Sequence, residues 1–259
     1  MQFQAHDKNG TMTLCHTSCD IINVGTLEDY LIEVNTWMRR NPYDVVTFVI
    51  GNYDHVAPTY FADVVEKAGM MNMVYTPPKA PMGLNDWPTL SEMILKQRRA
   101  VFFMDYEADQ SSVPWLMDEF SSMWETPFSP TDPAFPCSQQ RPPGLSPEEA
   151  KNRMYMANHN LNLELNLGPI NLLIPNYADL GKINAVNGNG SLGRMASDCA
   201  CKFHFHPWPF DCFPRSILTY RSLQMTGDVH QTSSWLTSTT LASGTTPSTT
   251  ARCSKWPRR

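Results

Sequence analysis

The run Val45-Val-Thr-Phe-Val-Ile50 decides the class of fold. It is apolar almost without a break, so it does not alternate as a strand with one wet face would. Burial on both faces, as in a parallel sheet, gives that pattern. A helix signal stands just before it. Thr26-Leu-Glu-Asp29 offers a hydroxyl N-cap and acidic residues for the first turn. Leu27, Leu31, Val34 and Met38 recur at helical spacing, with Tyr30 and Trp37 nearby. Asn41-Pro42 ends the helix, because proline restricts its predecessor and cannot extend the hydrogen-bond ladder.

Working outward, the same alternation continues. Gln2 to His6 reads as a strand upstream, and Pro58 to Lys67 as a helix ended by Gly69. Thr89 caps a short helix through Leu95, and Ala100-Val-Phe-Phe-Met104 is the next strand. Val113 to Met123 looks helical. A Pro-rich stretch from Thr126 to Pro147 has no apolar period and is expected at the surface. Met154-Tyr-Met-Ala157 and Leu172-Leu-Ile174 are further strands, and Tyr177 to Val186 a helix. Strands alternating with helices define an α/β fold. Near residue 200 the character changes: Thr226 to Thr250 is Ser/Thr-rich, too poor in apolar surface to offset ordering entropy, and disorder is expected. The chain therefore divides into residues 1–200 and a divergent tail, 201–259.

The 259 residues are 42% hydrophobic, enough for one sizeable core, and carry a net charge of −5. Basic residues are scattered except at Lys255, Arg258 and Arg259, which argues against nucleic acid as a partner. No run reaches the ~18 apolar residues of a membrane span. Met1 opens directly onto a strand, so no signal peptide is expected. Seven cysteines and the sequons Asn9-Gly-Thr11 and Asn189-Gly-Ser191 nevertheless point to a secreted origin. Cys15 with Cys19 and Cys137 with Cys199 are candidate disulfides, with the connectivity left open. Cys199, Cys201, His204 and His206 are ligand types for zinc, but their spacing does not fit a standard site. Gly188 to Gly193 superficially resembles a phosphate loop; it does not follow a strand and reads as a turn.

Leu14-Cys-His-Thr-Ser-Cys19, just beyond Gln2-Phe-Gln4, resembles the second active-site strand of the phosphatidylinositol-specific phospholipase C X-domain superfamily, and within it the fungal PLC-like phosphodiesterases. The resemblance covers roughly residues 1–200. It takes in Asn41-Pro42 before Asp44-Val-Val46, Trp87-Pro-Thr-Leu90 before Val101-Phe-Phe-Met-Asp-Tyr106, and Trp124-Glu-Thr-Pro-Phe128. Phe135-Pro-Cys137, Met154-Tyr155 through His159, and Gly190-Ser-Leu-Gly193 follow in order. It implies a TIM (β/α)8-type barrel, incomplete here: the first strand falls before residue 1 and a closing strand is not recognisable.

The resemblance also implies a reaction. Superfamily members cleave phosphodiesters with two histidines, one a general base toward the attacking hydroxyl, the other a general acid on the leaving alcohol. A positioned imidazole contributes ~10²–10⁴ in rate because its pKa lies near neutrality. His16 matches the acid; the strand bearing the base would precede residue 1. His6 and Gln4, on the Gln2 to His6 strand, and Asn52, Asp105 and His159, after later strands, are candidate substrate contacts. No metal is expected: Gln2 and Gln4 stand where calcium-using relatives place acidic ligands, and amides are weak ligands for a hard cation. The implied partner is a phosphodiester or phospholipid head group, the implied state a monomer, and the implied location extracellular or cell-surface. A glycerophosphodiester phosphodiesterase, and an inactive barrel serving as an extracellular binding protein, remain alternatives.

Overall fold

The computed structural model describes residues 1–15, 19–20, 23–168, 170–203 and 217–220. It is mixed α/β and falls into two compact units, Met1–Trp124 with Asn152–Met154, and Glu125–Lys151 with the described residues from Tyr155 onward.

The first unit is built on a six-stranded sheet. Its elements are β1 (Gln2–Asp7), β2 (Met12–Cys15), β3 (Asn23–Thr26), α1 (Leu27–Arg40), β4 (Val46–Gly51), α2 (Pro58–Lys67), α3 (Leu90–Leu95), β5 (Ala100–Met104), β6 (Leu116–Asp118) and α4 (Glu119–Ser122). The sheet order is β3-β2-β1-β4-β5-β6. β1, β4, β5 and β6 run parallel, while β2 and β3 add antiparallel pairs at one edge. The capping threonine behaves as the sequence indicates: Asp29 N–H donates to Thr26 Oγ1 at 3.0 Å, and α1 stops at Asn41. Phe48 and Ile50 of β4 and Phe102 and Met104 of β5 gather with Leu27, Leu31 and Met38 of α1 and Phe61 and Val65 of α2 in one apolar cluster. Val49, Val101 and Phe103, the alternate residues, are buried as well, which is the two-sided burial expected of a parallel sheet.

Two local features were not evident in the sequence. Asn9-Gly10, noted there only as part of a sequon, is the tip of the β1–β2 hairpin. Both residues have positive φ (55° and 78°), and Lys8 and Thr11 exchange backbone hydrogen bonds around them. Asn-Gly is the pair that such a mirror-image turn selects. At the opposite end of the strands, Arg99 is buried. Its guanidinium donates to the carbonyls of Met38 (3.0 Å), Asn41 (3.0 Å) and Asp44 (2.8 Å), fastening the end of α1 to the entries of β4 and β5.

The second unit holds β7 (Met123–Glu125), α5 (Pro147–Lys151), β8 (Met154–Asn158), β9 (Asn162–Leu167), β10 (Ile170–Pro175), α6 (Leu180–Ile183), α7 (Leu192–Phe203) and β11 (Ile217–Tyr220), with β7 and β8 starting at the division between the units. β11, β8 and β7 form one sheet, with β8 and β11 parallel; β9 and β10 form a two-stranded sheet of their own. A disulfide joins Cys137 to Cys199 on α7. Glu125 is buried and meets Arg141 at 3.1 Å.

Several expectations are corrected here. Of Val113 to Met123 only α4, Glu119–Ser122, is helical: Trp115, Leu116 and Met117 are all buried, too continuous for a helical stripe, and Leu116–Asp118 pairs with β5 instead. The helix expected from Tyr177 to Val186 shrinks to α6, because Asn176 and Asp179 hold a turn before it (Asn176 Nδ2 to Asp179 Oδ2, 2.8 Å). The Pro-rich stretch is not wholly at the surface, since Phe135 is buried against the His159 ring, with centroids 3.8 Å apart. β9, α7 and β11 add elements that the sequence reading lacked. Among the described residues the strands do not close into a barrel, and the Thr226 to Thr250 stretch lies outside them.

Candidate functional site

The parallel strands of the first unit deliver three loops side by side. Gln4 pairs with Gly51, and Ile50 with Met104, so the C-terminal ends of β1, β4 and β5 form one rim. Asn52 is the clamp of that rim. Fully buried, it donates its backbone N–H to Asp105 Oδ1 at 2.7 Å. Its side chain accepts from Val56 N–H (3.0 Å) and donates to the carbonyls of Val56 (2.9 Å) and Tyr106 (3.1 Å). Asn52 thus joins the loops after β4 and β5, and what it offers chemistry is position.

His6 projects from the end of β1. Its Nδ1 lies 2.9 Å from Asp54 Oδ1, and the other Asp54 oxygen accepts from Asp7 N–H at 3.0 Å. A carboxylate on Nδ1 fixes the ring and favours the tautomer with its proton there, leaving Nε2 with a lone pair. Nε2 is buried and meets no hydrogen-bond partner among the described residues. Beside this pair stands a second, which the sequence reading missed: His55 Nδ1 lies 2.9 Å from Glu107 Oε1, both side chains exposed, with the Tyr106 ring 5.4 Å from that of His55. Both His55 (φ 54°) and Glu107 (φ 63°) adopt the left-handed region, uncommon for such residues and recurrent at functional sites. The available signal was Asp54-His55 directly after a buried strand. Gln4 is exposed on the same rim, its Cγ close to Gly51, where an added Cβ would lie 3.2 Å from it.

His16 lies outside the described residues. Its flanks do not: Cys15 ends β2, one step beyond the Ala5–Leu14 pair and so level with Gln4, and it is bonded to Cys19 with a Cα–Cα distance of 4.9 Å. Cys15–Cys19 and Cys137–Cys199 are the two candidate pairings named from the sequence. The second removes Cys199 from any zinc site; His204 and His206 lie outside the described residues. Among the described residues no group of three or more His, Cys, Asp or Glu side chains could hold a metal.

His159 belongs to the second unit and is buried. Its Nε2 lies 3.0 Å from the Ile183 carbonyl, and desolvation lowers its pKa below 6.5, partly offset by the backbones of Ile183 and Gly190. The neighbouring Gly190-Ser-Leu-Gly193 is likewise spent on packing. Ser191 Oγ accepts from Arg194 N–H at 3.2 Å as α7 begins, and a Cβ at Gly193 would fall 1.7 Å from the Val186 carbonyl oxygen. Of the expected site residues, Gln4, His6, Asn52 and Asp105 therefore meet on one rim, and His159 sits inside the other unit.

An α/β sheet with polar side chains collected at its parallel strand ends is the general setting for ligand sites in such folds. The family model described as PI-PLC X 1 matches residues 1–209, and the chain belongs to that family. An "Uncharacterized secreted protein" of Arthroderma benhamiae is 53% identical over 207 residues, covering 80% of this chain and 47% of that protein. The "PI-PLC X domain-containing protein 1" of the same fungus is 36% identical over 209 residues, 80% of this chain and 66% of that protein. A PI-PLC X domain-containing protein of Arabidopsis thaliana is 25% identical over 114 residues, 42% of this chain and 26% of that protein. The chain thus spans from about a quarter to two thirds of the length of these relatives. No solved structure matches it.

Proposed function

We propose that the protein is a phosphoric diester hydrolase of the phospholipase C-like type, acting on a phospholipid or inositol-type head group. The observation that carries this reading is the family match across residues 1–209, which includes the Leu14 to Cys19 segment. In the proposed reaction His16 protonates the leaving alcohol oxygen as its bond to phosphorus breaks. The attacking oxygen, from water or a ring hydroxyl, passes its proton to a general base, the second histidine that the family resemblance implies, as it bonds to phosphorus. His6, oriented by Asp54, contacts the substrate, with Gln4 and Asp105 on the same rim. The parallel sheet is proposed as part of a TIM-type barrel. Two disulfides and a relative named as secreted support an extracellular or cell-surface location, and Asn9 and Asn189 are both exposed for glycosylation.

The test uses a water-soluble fluorogenic inositol or choline phosphodiester. His16→Ala should lower turnover at least ~10²-fold. Undiminished turnover would remove His16 from the mechanism. A chelator should leave the rate unchanged, because Gln2 and Gln4 supply no charged ligand; a chelator-sensitive rate would reinstate a metal.

A further inference from the structure

The β9–β10 hairpin of the second unit is two-faced. Its register sets Leu163 opposite Ile174, Leu165 opposite Leu172, Glu164 opposite Leu173, and Asn166 opposite Asn171. Directly opposed residues share a face. One face therefore carries Leu163, Leu165, Leu172 and Ile174, which are 50%, 42%, 46% and 36% exposed. The other carries Glu164, Asn166 and Asn171 with a single leucine, Leu173, 42% exposed, and there Asn171 Nδ2 donates to Glu164 Oε1. A strand pattern with a dry face normally lays that face on a core. Among the described residues the two strands form a sheet by themselves and the aliphatic row stays open.

Three observations select what covers it. First, the exposed row amounts to no more than a few hundred Å², short of the ~800 Å² per partner of a stable protein interface. Second, from Leu165 to Ala178 there is no ionisable residue except Tyr177, and from Met154 to Gly181 no lysine or arginine. The surface matches an uncharged apolar medium and has no means of attracting an anionic one. Tyr177, 47% exposed, stands just past the hairpin, and an amphipathic ring suits the boundary between head groups and chains. Third, the hairpin leaves β8 within four residues of its C-terminal end, and β8 and β11 are parallel. That is the end of an α/β sheet where ligands are met.

We propose that the Leu163–Ile174 face of this hairpin docks the protein on a zwitterionic phospholipid surface. The inference rests on the hydrolase reading, which gives the protein a reason to meet lipid. Docking is shallow: a two-stranded sheet keeps unpaired N–H and C=O groups along both edges, and these must stay among head groups and water. Apolar side chains reach the acyl boundary while Glu164 and the asparagines remain outside.

The experiment is flotation of the full chain with phosphatidylcholine vesicles, compared with the double variant Leu165→Glu, Leu172→Glu. The variant should lose at least ~10-fold in vesicle partitioning and keep its turnover of a water-soluble phosphodiester. Should the double variant misfold, Leu172→Trp decides, since brominated phosphatidylcholine should quench the fluorescence that this substitution adds. Failure of the parent chain to float, equal flotation of the double variant, or added fluorescence that stays unquenched overturns the proposal. So does a concentration-dependent dimer that the glutamates abolish, which assigns the face to a second copy. Absence of turnover toward the soluble substrate sinks the hydrolase reading instead, and leaves the flotation result to stand or fall alone.

Discussion

The two units are held together by different means. In the first, aromatic and aliphatic side chains from the parallel strands pack against the stripes of α1 and α2; Phe48 stacks on Phe102 with centroids 4.4 Å apart. In the second, much of what is buried is polar: Glu125 with Arg141 and Asn158, His159 on the Ile183 carbonyl, and Asn162, Asn176 and Ser191, with a disulfide reaching across 62 residues. Apolar packing tolerates small displacements, because dispersion and burial are non-directional. A buried polar network depends on each of its members, since one missing partner leaves a desolvated group behind. The first unit should therefore fail gradually and the second abruptly.

The sharpest way to break that contrast is in the first core. Phe48→Ala should cost about 4 kcal/mol, because a fully buried ring in a stack leaves a cavity. Amide exchange should accelerate in β4 and β5 and stay unchanged in β8; equal loss in both units would mean that they unfold as one. Next comes the covalent tie. Replacing Cys137 and Cys199 together by alanine should cost about 3 kcal/mol, since the bond closes a long loop, whereas removing Cys15–Cys19 should cost less. Denaturation of both variants checks this, and equal losses would show that loop length does not govern either bond.

The smallest effect is set by pH. Burial favours the neutral His159 ring in the folded state, so the unfolded chain binds the proton more readily. The stability this gives is present above pH ~6.5 and lost as pH falls. His159→Phe should flatten that part of the melting-temperature profile; an unaltered profile would assign the acid sensitivity elsewhere.

How much was legible follows the same division. Val45 to Ile50, the Thr26 cap and the stripe of α1 were readable because local periodicity and long-range packing agree there. Val113 to Met123 misled, since the edge of β5 takes Leu116–Asp118 as a strand and overrides an apolar run that could be either. α7 was missed although Ser191 and the positions Leu192, Met195, Cys199 and Phe203 spelled it out, because the glycines from Gly188 to Gly193 read locally as a turn. At the rim, His6 and Asp105 were accessible from their places at strand ends. Asn52 was accessible in the same way, but the pairings of His6 with Asp54 and of Asn52 with Asp105, across 48 and 53 residues, have no local signature.

Arg99 extends the lesson to evolution by substitution. One guanidinium serves three carbonyls in fixed directions, which a lysine's single ammonium could not reproduce. The strand entries are thereby locked at the end remote from the rim, where exposed loop residues such as Tyr53, His55 and Glu107 make no contact with that lock. Selection, or a designer, seeking a new specificity can rewrite such exposed positions one residue at a time while Asn52, Asp105 and the chassis beneath them stay constant.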